Sequence, residues 1–187
     1  TVEEKTALHH LIEKKKSLPV DEARQAEQFE LLLKMTQAAD YEQYEISNFA
    51  KPGFRSKHNS SYWQGKPYYG FGPSAHSFNG KNKRSWNIAN NALYMQSLEQ
   101  NNIPYEEEVL TVVQQLNEYI MISLRTMEGI DRQKLSDKFG MDKLHALEKH
   151  AQLFMNEGLL QLDDHFIRLT TKGKFLADGI AAELFFE

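Results

Sequence analysis

The sequence predicts a mainly helical α+β chain that closes in a winged-helix-like unit. Apolar residues recur at helical spacing through its second half, glycines fall just beyond the expected helix ends, and an aspartate pair separates two short β-like runs. The 187 residues are 41% hydrophobic and 26% charged, an ordinary globular balance.

Residues 1–20 are polar and end in the turn signal Ser17-Leu18-Pro19. A helix is expected from Asp21, with Ala26, Phe29, Leu32 or Leu33, and Thr36 along one face. Residues 41–49 are aromatic and β-branched enough for a short strand, and helix followed by strand is how one unit of an α/β barrel reads. Residues 50–90 are punctuated by Gly53, Gly65, Gly70, Gly72 and Gly80 and by Pro52, Pro67 and Pro73. A long irregular loop is expected there, with short strands near 69–71 and 75–78. Long loops inside compact domains are usually functional, so the site is placed in this segment.

From about Asn91 the chain becomes helical. Thr111 and Gln114 form a capping-box pattern ahead of Val112, Val113, Leu116, Ile120 and Leu124, and Gly129 ends that helix. Asp131 caps a short helix to Phe139, closed by Gly140. Another helix runs through Leu144, Leu147, Ala151 and Phe154 to Gly158. Strands at 159–162 and 166–169 flank Asp163-Asp164, and Thr170 or Thr171 caps a last helix through Phe175, Leu176, Ile180 and Leu184. Helix, helix, hairpin, helix is the winged-helix plan.

Composition excludes several classes. The chain has no cysteine, so it holds no disulfide and no thiolate-bound metal or cluster. No apolar run approaches the roughly 20 residues that span a bilayer, and no signal peptide is present, so no transmembrane segment and a cytoplasmic location are expected. The net charge of −4 argues against a nucleic-acid partner. Residues 131–187 carry eight basic and ten acidic residues, whereas a DNA reader presents a basic face to the phosphates.

Charge is nevertheless uneven. Residues 46–98 contain no Asp or Glu but carry Lys51, Arg55, Lys57, Lys66, Lys81, Lys83 and Arg84. The same stretch holds ten aromatics, among them Tyr62, Trp63, Tyr68, Tyr69, Phe71, Phe78 and Trp86. Aromatic faces with basic groups suit a flat anionic ligand such as a porphyrin with propionates. They also suit a nucleotide or single-stranded RNA, whose binding would fall steeply with salt. His58 and His76 read either as metal ligands or as surface groups, and tandem His9-His10 as solvated surface. Gly70-Phe71-Gly72-Pro73-Ser74-Ala75 reads as a turn or as a place where backbone approaches a ligand closely. Tyr62 and Trp63 read equally as core-filling aromatics.

Three runs in order carry a resemblance: Tyr44-Glu45-Ile46-Ser47-Asn48-Phe49-Ala50, His58-Asn59-Ser60-Ser61-Tyr62-Trp63, and Gly70-Phe71-Gly72-Pro73-Ser74-Ala75-His76-Ser77. Together they resemble the middle of the radical-SAM family of oxygen-independent coproporphyrinogen III oxidases and heme chaperones. Asn117-Glu118, Leu124-Arg125, Gly129-Ile130-Asp131 and Leu169-Thr170-Thr171-Lys172-Gly173 resemble that family's C-terminal domain.

The resemblance implies residues 1–50 as the last unit of a radical-SAM α/β barrel and 51–90 as the glycine- and aromatic-rich site segment. It implies 91–187 as the C-terminal helical, winged-helix-like domain. It further implies a full-length protein with a [4Fe-4S] cluster, S-adenosylmethionine and heme, and a chain that alone holds heme or nothing. The cluster cysteines are absent here, so no catalytic residue is expected in this chain and it should be inactive alone. Two functions remain open under the resemblance. One is a heme chaperone delivering heme to an acceptor protein. The other is oxidative decarboxylation of coproporphyrinogen III to protoporphyrinogen IX. The His-Asn-x-x-Tyr-Trp run is characteristic of the chaperones, which makes His58 the heme-iron ligand and Asn59, Tyr62 and Trp63 its heme-binding neighbours. Glu45, Asn48, Gly70, Gly72 and Ala75 become the S-adenosylmethionine-binding positions.

Overall fold

Helix starts follow their caps. The computed structural model describes residue 2 and residues 4–187. Helix α1 (Ala7–Glu13) lies in the stretch read only as polar, and α2 (Glu22–Ala38) begins where Asp21 accepts from Arg24 N at 3.1 Å. The strand expected over 41–49 is a hairpin instead. Strand β1 (Glu42–Glu45) turns at Ile46 and Ser47 into antiparallel β2 (Asn48–Ala50). The turn is made by the Glu45 carboxylate, which accepts from Ser47 N at 2.9 Å and from the Asn48 amide. Periodicity does not register such local bonding.

The 50–90 segment is more ordered than its glycines and prolines suggest. Ser56 accepts from Asn59 N and starts helix α3 (Lys57–Trp63). Strand β3 (His76–Phe78) falls where one was expected, but 69–71 forms none; Tyr68 alone bridges to Phe78. Strand β4 (Lys83–Asn87) joins β3 to β5 (Tyr105–Val109) in an antiparallel sheet of order β3-β4-β5. Helix α4 (Asn91–Glu99) follows as expected, yet β5 interrupts the helical stretch. Its Tyr-Glu-Glu-Glu-Val sequence is exposed throughout and is matched to β4 by charge, with Lys83 Nζ 2.6 Å from Glu107.

The second half follows its sequence closely. Thr111 and Gln114 form the full capping box of α5 (Val112–Arg125). Then come β6 (Ile130–Asp131), α6 (Arg132–Phe139), α7 (Met141–Asn156), β7 (Leu160–Leu162) and β8 (Phe166–Leu169). A 3-10 turn at Gly173–Leu176 leads into α8 (Ala177–Glu183). The two-residue β6 was not expected; it completes an antiparallel sheet of order β6-β8-β7.

The hydrophobic core lies in this half. Leu116, Ile120 and Leu124 of α5 pack with Leu135, Leu144, Leu147, Ile167, Ile180 and Leu184. Ahead of Leu110, Tyr44 and Ala50 are the buried apolar residues among those described. The Leu-Thr-x-x-Gly run closes the fold. Thr170 Oγ1 donates to Gly158 O at 2.7 Å and accepts from Gly173 N at 3.1 Å. A Cβ on Gly173 would stand 2.0 Å from Leu159 O, so only glycine fits the contact.

Candidate functional site

A cavity of about 640 Å³ opens between α3, the Tyr68–Phe78 bridge and the α5–α6 face of the C-terminal half. Its aromatic lining comes from several elements: Tyr62 and Trp63 on α3, Tyr68 and Phe78 at the bridge, Tyr119 on α5 and Phe166 on β8. Tyr62 and Tyr68 meet edge to face at 4.8 Å between centroids, and Tyr68 and Phe78 lie tilted at 6.3 Å. Burial pushes the phenols of Tyr68 and Tyr119 above their usual range, so both are neutral donors at physiological pH. Arg55, Lys66, Lys81, Arg84, Lys134 and Lys138 also line the space, against Glu118, Glu128 and Asp131. The volume falls within the roughly 300–1,000 Å³ common for small-molecule sites.

Helix α3 distributes its motif residues to different surroundings. Tyr62 and Trp63 form part of the cavity wall. The Trp63 indole N–H is buried and has no acceptor among the described residues, while Arg125 lies 5.8 Å over its ring. His58 is exposed, one helical turn before Tyr62, with the two rings perpendicular at 5.0 Å. It stands beside the cavity and is not among its lining residues. Asn59 turns the other way and donates to Asn48 Oδ1 at 3.0 Å.

Asn59, Asn48 and Glu45 form one network. Glu45 is 2% exposed, and its two oxygens are shared among Ser47 N, the Asn48 amide and the Arg125 guanidinium, the last at 2.9 and 3.1 Å. Arg125 continues to Asp178 at 2.7 Å. Ile46 N and Met127 N extend the joint through backbone bonds to Arg125 O and Tyr44 O. This network fastens the hairpin to the C-terminal end of α5. Glu45 also borders a second cavity of about 380 Å³, beside Arg168 and Lys174. Burial lowers the amine of Lys174, which donates to Gln43 Oε1 at 2.8 Å.

Gly70, Gly72 and Ala75 lie in another loop and line neither cavity. A Cβ on Gly70 would approach His76 O to 2.2 Å, so glycine is required by backbone packing. Gly72 has φ +95°, open to glycine and strained for other residues. The buried Asn87 side chain donates to Gly72 O at 2.9 Å and holds the loop on β4. Tyr69 and Phe71 project from it and are 85% and 89% exposed. His76 is exposed beside Trp86, and His9, His10 and Glu13 bring donor atoms within 4.8 Å of one another on the surface of α1.

The acid-free stretch is less electropositive in the fold than in the sequence. Arg55 meets Glu128 at 2.6 Å and Glu42 at 3.4 Å, Lys83 meets Glu107, and Arg84 meets Glu118 at 2.5 Å. Acids from distant segments thus neutralise much of it. The sequence reading missed the cavity's C-terminal wall, namely Tyr119, Lys134, Lys138 and Phe166. The available signal was Lys134 and Lys138 four residues apart on a capped helix. It was submerged in the net negative tail.

Residues 110–176 match the HemN C-terminal domain. The heme chaperone HemW of Bacillus subtilis (strain 168) is 29% identical over 180 residues, covering 96% of this chain and 47% of that protein. HemW of Lactococcus lactis subsp. lactis is 32% identical over 171 residues, covering 85% and 44%. The chain spans about half the length of the curated relatives it matches. Coproporphyrinogen III oxidase (HemN) from Escherichia coli, a radical-SAM enzyme, shares the fold with a TM-score of 0.64 at 19% identity, over 83% of this chain and 39% of that one. Over residues 110–176 the chain carries the HemN C-terminal domain; it contains no cysteine, is distantly homologous to the C-terminal half of HemW heme chaperones, and shares its fold with HemN.

Proposed function

We propose that this chain binds heme as part of a heme chaperone that hands it to an acceptor protein. The porphyrin's carboxylate edge enters the cavity between α3 and the α5–α6 face, and its iron lies at the rim beside His58. The observation that carries the reading is the cavity itself, an aromatic-walled space with cations around it, closed on one side by the Tyr62-Trp63 pair. Ring faces supply apolar contact, and the lysine groups of the lining meet carboxylates. His58 is exposed and one turn from Tyr62, where a neutral imidazole can reach a metal at the cavity mouth. Asn59 serves by fixing α3 to the Glu45 network rather than by touching the ligand.

The family's [4Fe-4S] cluster needs thiolate ligands, and this chain has no cysteine to offer. Cluster and S-adenosylmethionine chemistry therefore belong to other parts of a longer protein, in the cytoplasm on our reading. Gly70, Gly72 and Ala75, half-buried in a loop tied to β4 through Asn87, would present it with backbone rather than side chains, while Glu45 and Asn48 would act by holding the hairpin end in place. Decarboxylation of coproporphyrinogen III is the alternative for that longer protein, with the same cavity receiving the tetrapyrrole.

Titrating hemin into the chain and into His58→Ala, followed at the Soret band, tests the reading. The expected result is saturable binding in both, with the Soret maximum displaced in the variant because an axial ligand is gone. Identical spectra would remove His58 from the iron. Absence of saturable binding to the unsubstituted chain would remove the heme-binding proposal.

A further inference from the structure

Resting on the heme reading, we infer that Lys134 and Lys138 of α6 form the carboxylate-binding pair of the cavity. They set the ligand's orientation, acidic edge toward the C-terminal half and ring face toward α3. Both side chains line the cavity and, four residues apart on one helix, share a face. The arginines of the lining are already engaged, Arg55 by Glu42 and Glu128 and Arg84 by Glu118. Neither α6 lysine has an ion-pair partner among the described residues, and their ammonium groups sit over rings, Lys134 Nζ 5.4 Å from the Tyr119 centroid and Lys138 Nζ 5.0 Å from that of Phe139. Partial burial, then the neighbouring Lys134 charge, hold the Lys138 amine below the usual lysine range, with Glu118 pulling the other way. Glu118, the acid that bears on Lys138, is itself paired with Arg84, so these two like charges are relieved by a further anion. Lys66 and Lys81 also border the space, but they stand in the turns after α3 and before β4, with no ring contact among the described residues to place them.

Binding of hemin and of hemin dimethyl ester, whose carboxylates are masked, separates this inference from the reading beneath it. The comparison uses the full chain, Lys134→Gln/Lys138→Gln and Lys66→Gln/Lys81→Gln. Both α6 lysines are largely exposed residues whose ammonium groups hold no ion pair among those described, so the variant should melt as the parent does. The α6 variant is expected to weaken hemin about tenfold or more, with the Soret maximum unmoved because the iron ligand remains. The ester should bind the parent and the α6 variant equally, and Lys66→Gln/Lys81→Gln should weaken hemin by less than about threefold. Hemin bound as tightly by the α6 variant as by the parent would overturn the inference and leave heme binding standing. So would an ester that binds the parent as tightly as hemin does. A parent that binds no hemin would bring down the reading and the inference together.

Discussion

Helices α2 and α5 have 17 and 14 residues, and each starts on a side-chain cap, yet they are held in different ways. Helix α5 buries Leu116, Ile120, Ser123 and Leu124, whereas no residue of α2 is buried and Leu31 and Met35 stand open to solvent. The contrast extends to the regions around them. Residues from Leu110 onward enclose a continuous apolar core. The earlier residues attach to it mainly through polar joints: Glu45 with Arg125, Arg55 with Glu128 and Arg84 with Glu118. An edge contact of Phe29 on Phe175 at 4.9 Å adds an apolar one. The cavity sits on this seam. One wall is the back of a core, and the other is placed by ion pairs and hydrogen bonds. Elements with few buried apolar contacts are the ones that open at low cost, which suits the proposed release of heme to an acceptor.

Substitutions at Leu147 and Leu31 separate the two halves most sharply. Leu147→Ala leaves a cavity in the core and should cost about 2–5 kcal/mol in urea unfolding, whereas Leu31→Ala on the open face of α2 should stay within about 0.5 kcal/mol. Equal losses would mean that the first half shares the core after all. Arg125→Ala comes next, because it leaves the Glu45 carboxylate buried without its cation. A fully buried pair broken on one side costs about 3–5 kcal/mol. The Arg125 side chain is 23% exposed, and solvent screening reduces the figure to about 2 kcal/mol. Hydrogen exchange should show the loss at the amides of β1 and β2 and of α3, with α7 protected as before. Uniform loss of protection would show that the joint is part of the core and not a hinge.

The same contrast decided what could be read from the sequence. The second half was legible because burial imposes periodicity. Leu116, Ile120 and Leu124 repeat at helical spacing, the Thr111–Gln114 box marks the start of α5, and Gly140 and Gly158 mark the ends of α6 and α7. In the first half little is buried, so periodicity is faint. Helix α3 hides in Lys-His-Asn-Ser-Ser-Tyr-Trp, whose serines and asparagine are poor helix formers. Strand β5 hides in Tyr-Glu-Glu-Glu-Val, where partners on β4 supply the stabilising charge. Of the site, Tyr62 and Trp63 were legible as motif residues and line the cavity. The α6 lysines were not, since nothing local tells that Asp131 and its helix line the same cavity as α3. The acid-free stretch misled in the opposite sense, because Glu107, Glu118 and Glu128 arrive from later in the chain to neutralise it.

The central claim is that the seam between the two halves is a tetrapyrrole site. Amide chemical-shift mapping with diamagnetic zinc protoporphyrin tests it most directly, because it locates the ligand without assuming which residue meets the metal. Shifts concentrated on α3, the Tyr68–Phe78 bridge, Tyr119 and α6, with β7 and α2 unmoved, are the predicted result. Shifts gathered instead on the exposed aromatics Tyr69 and Phe71, with α6 silent, would contradict it and mark the porphyrin as adhering to a surface patch.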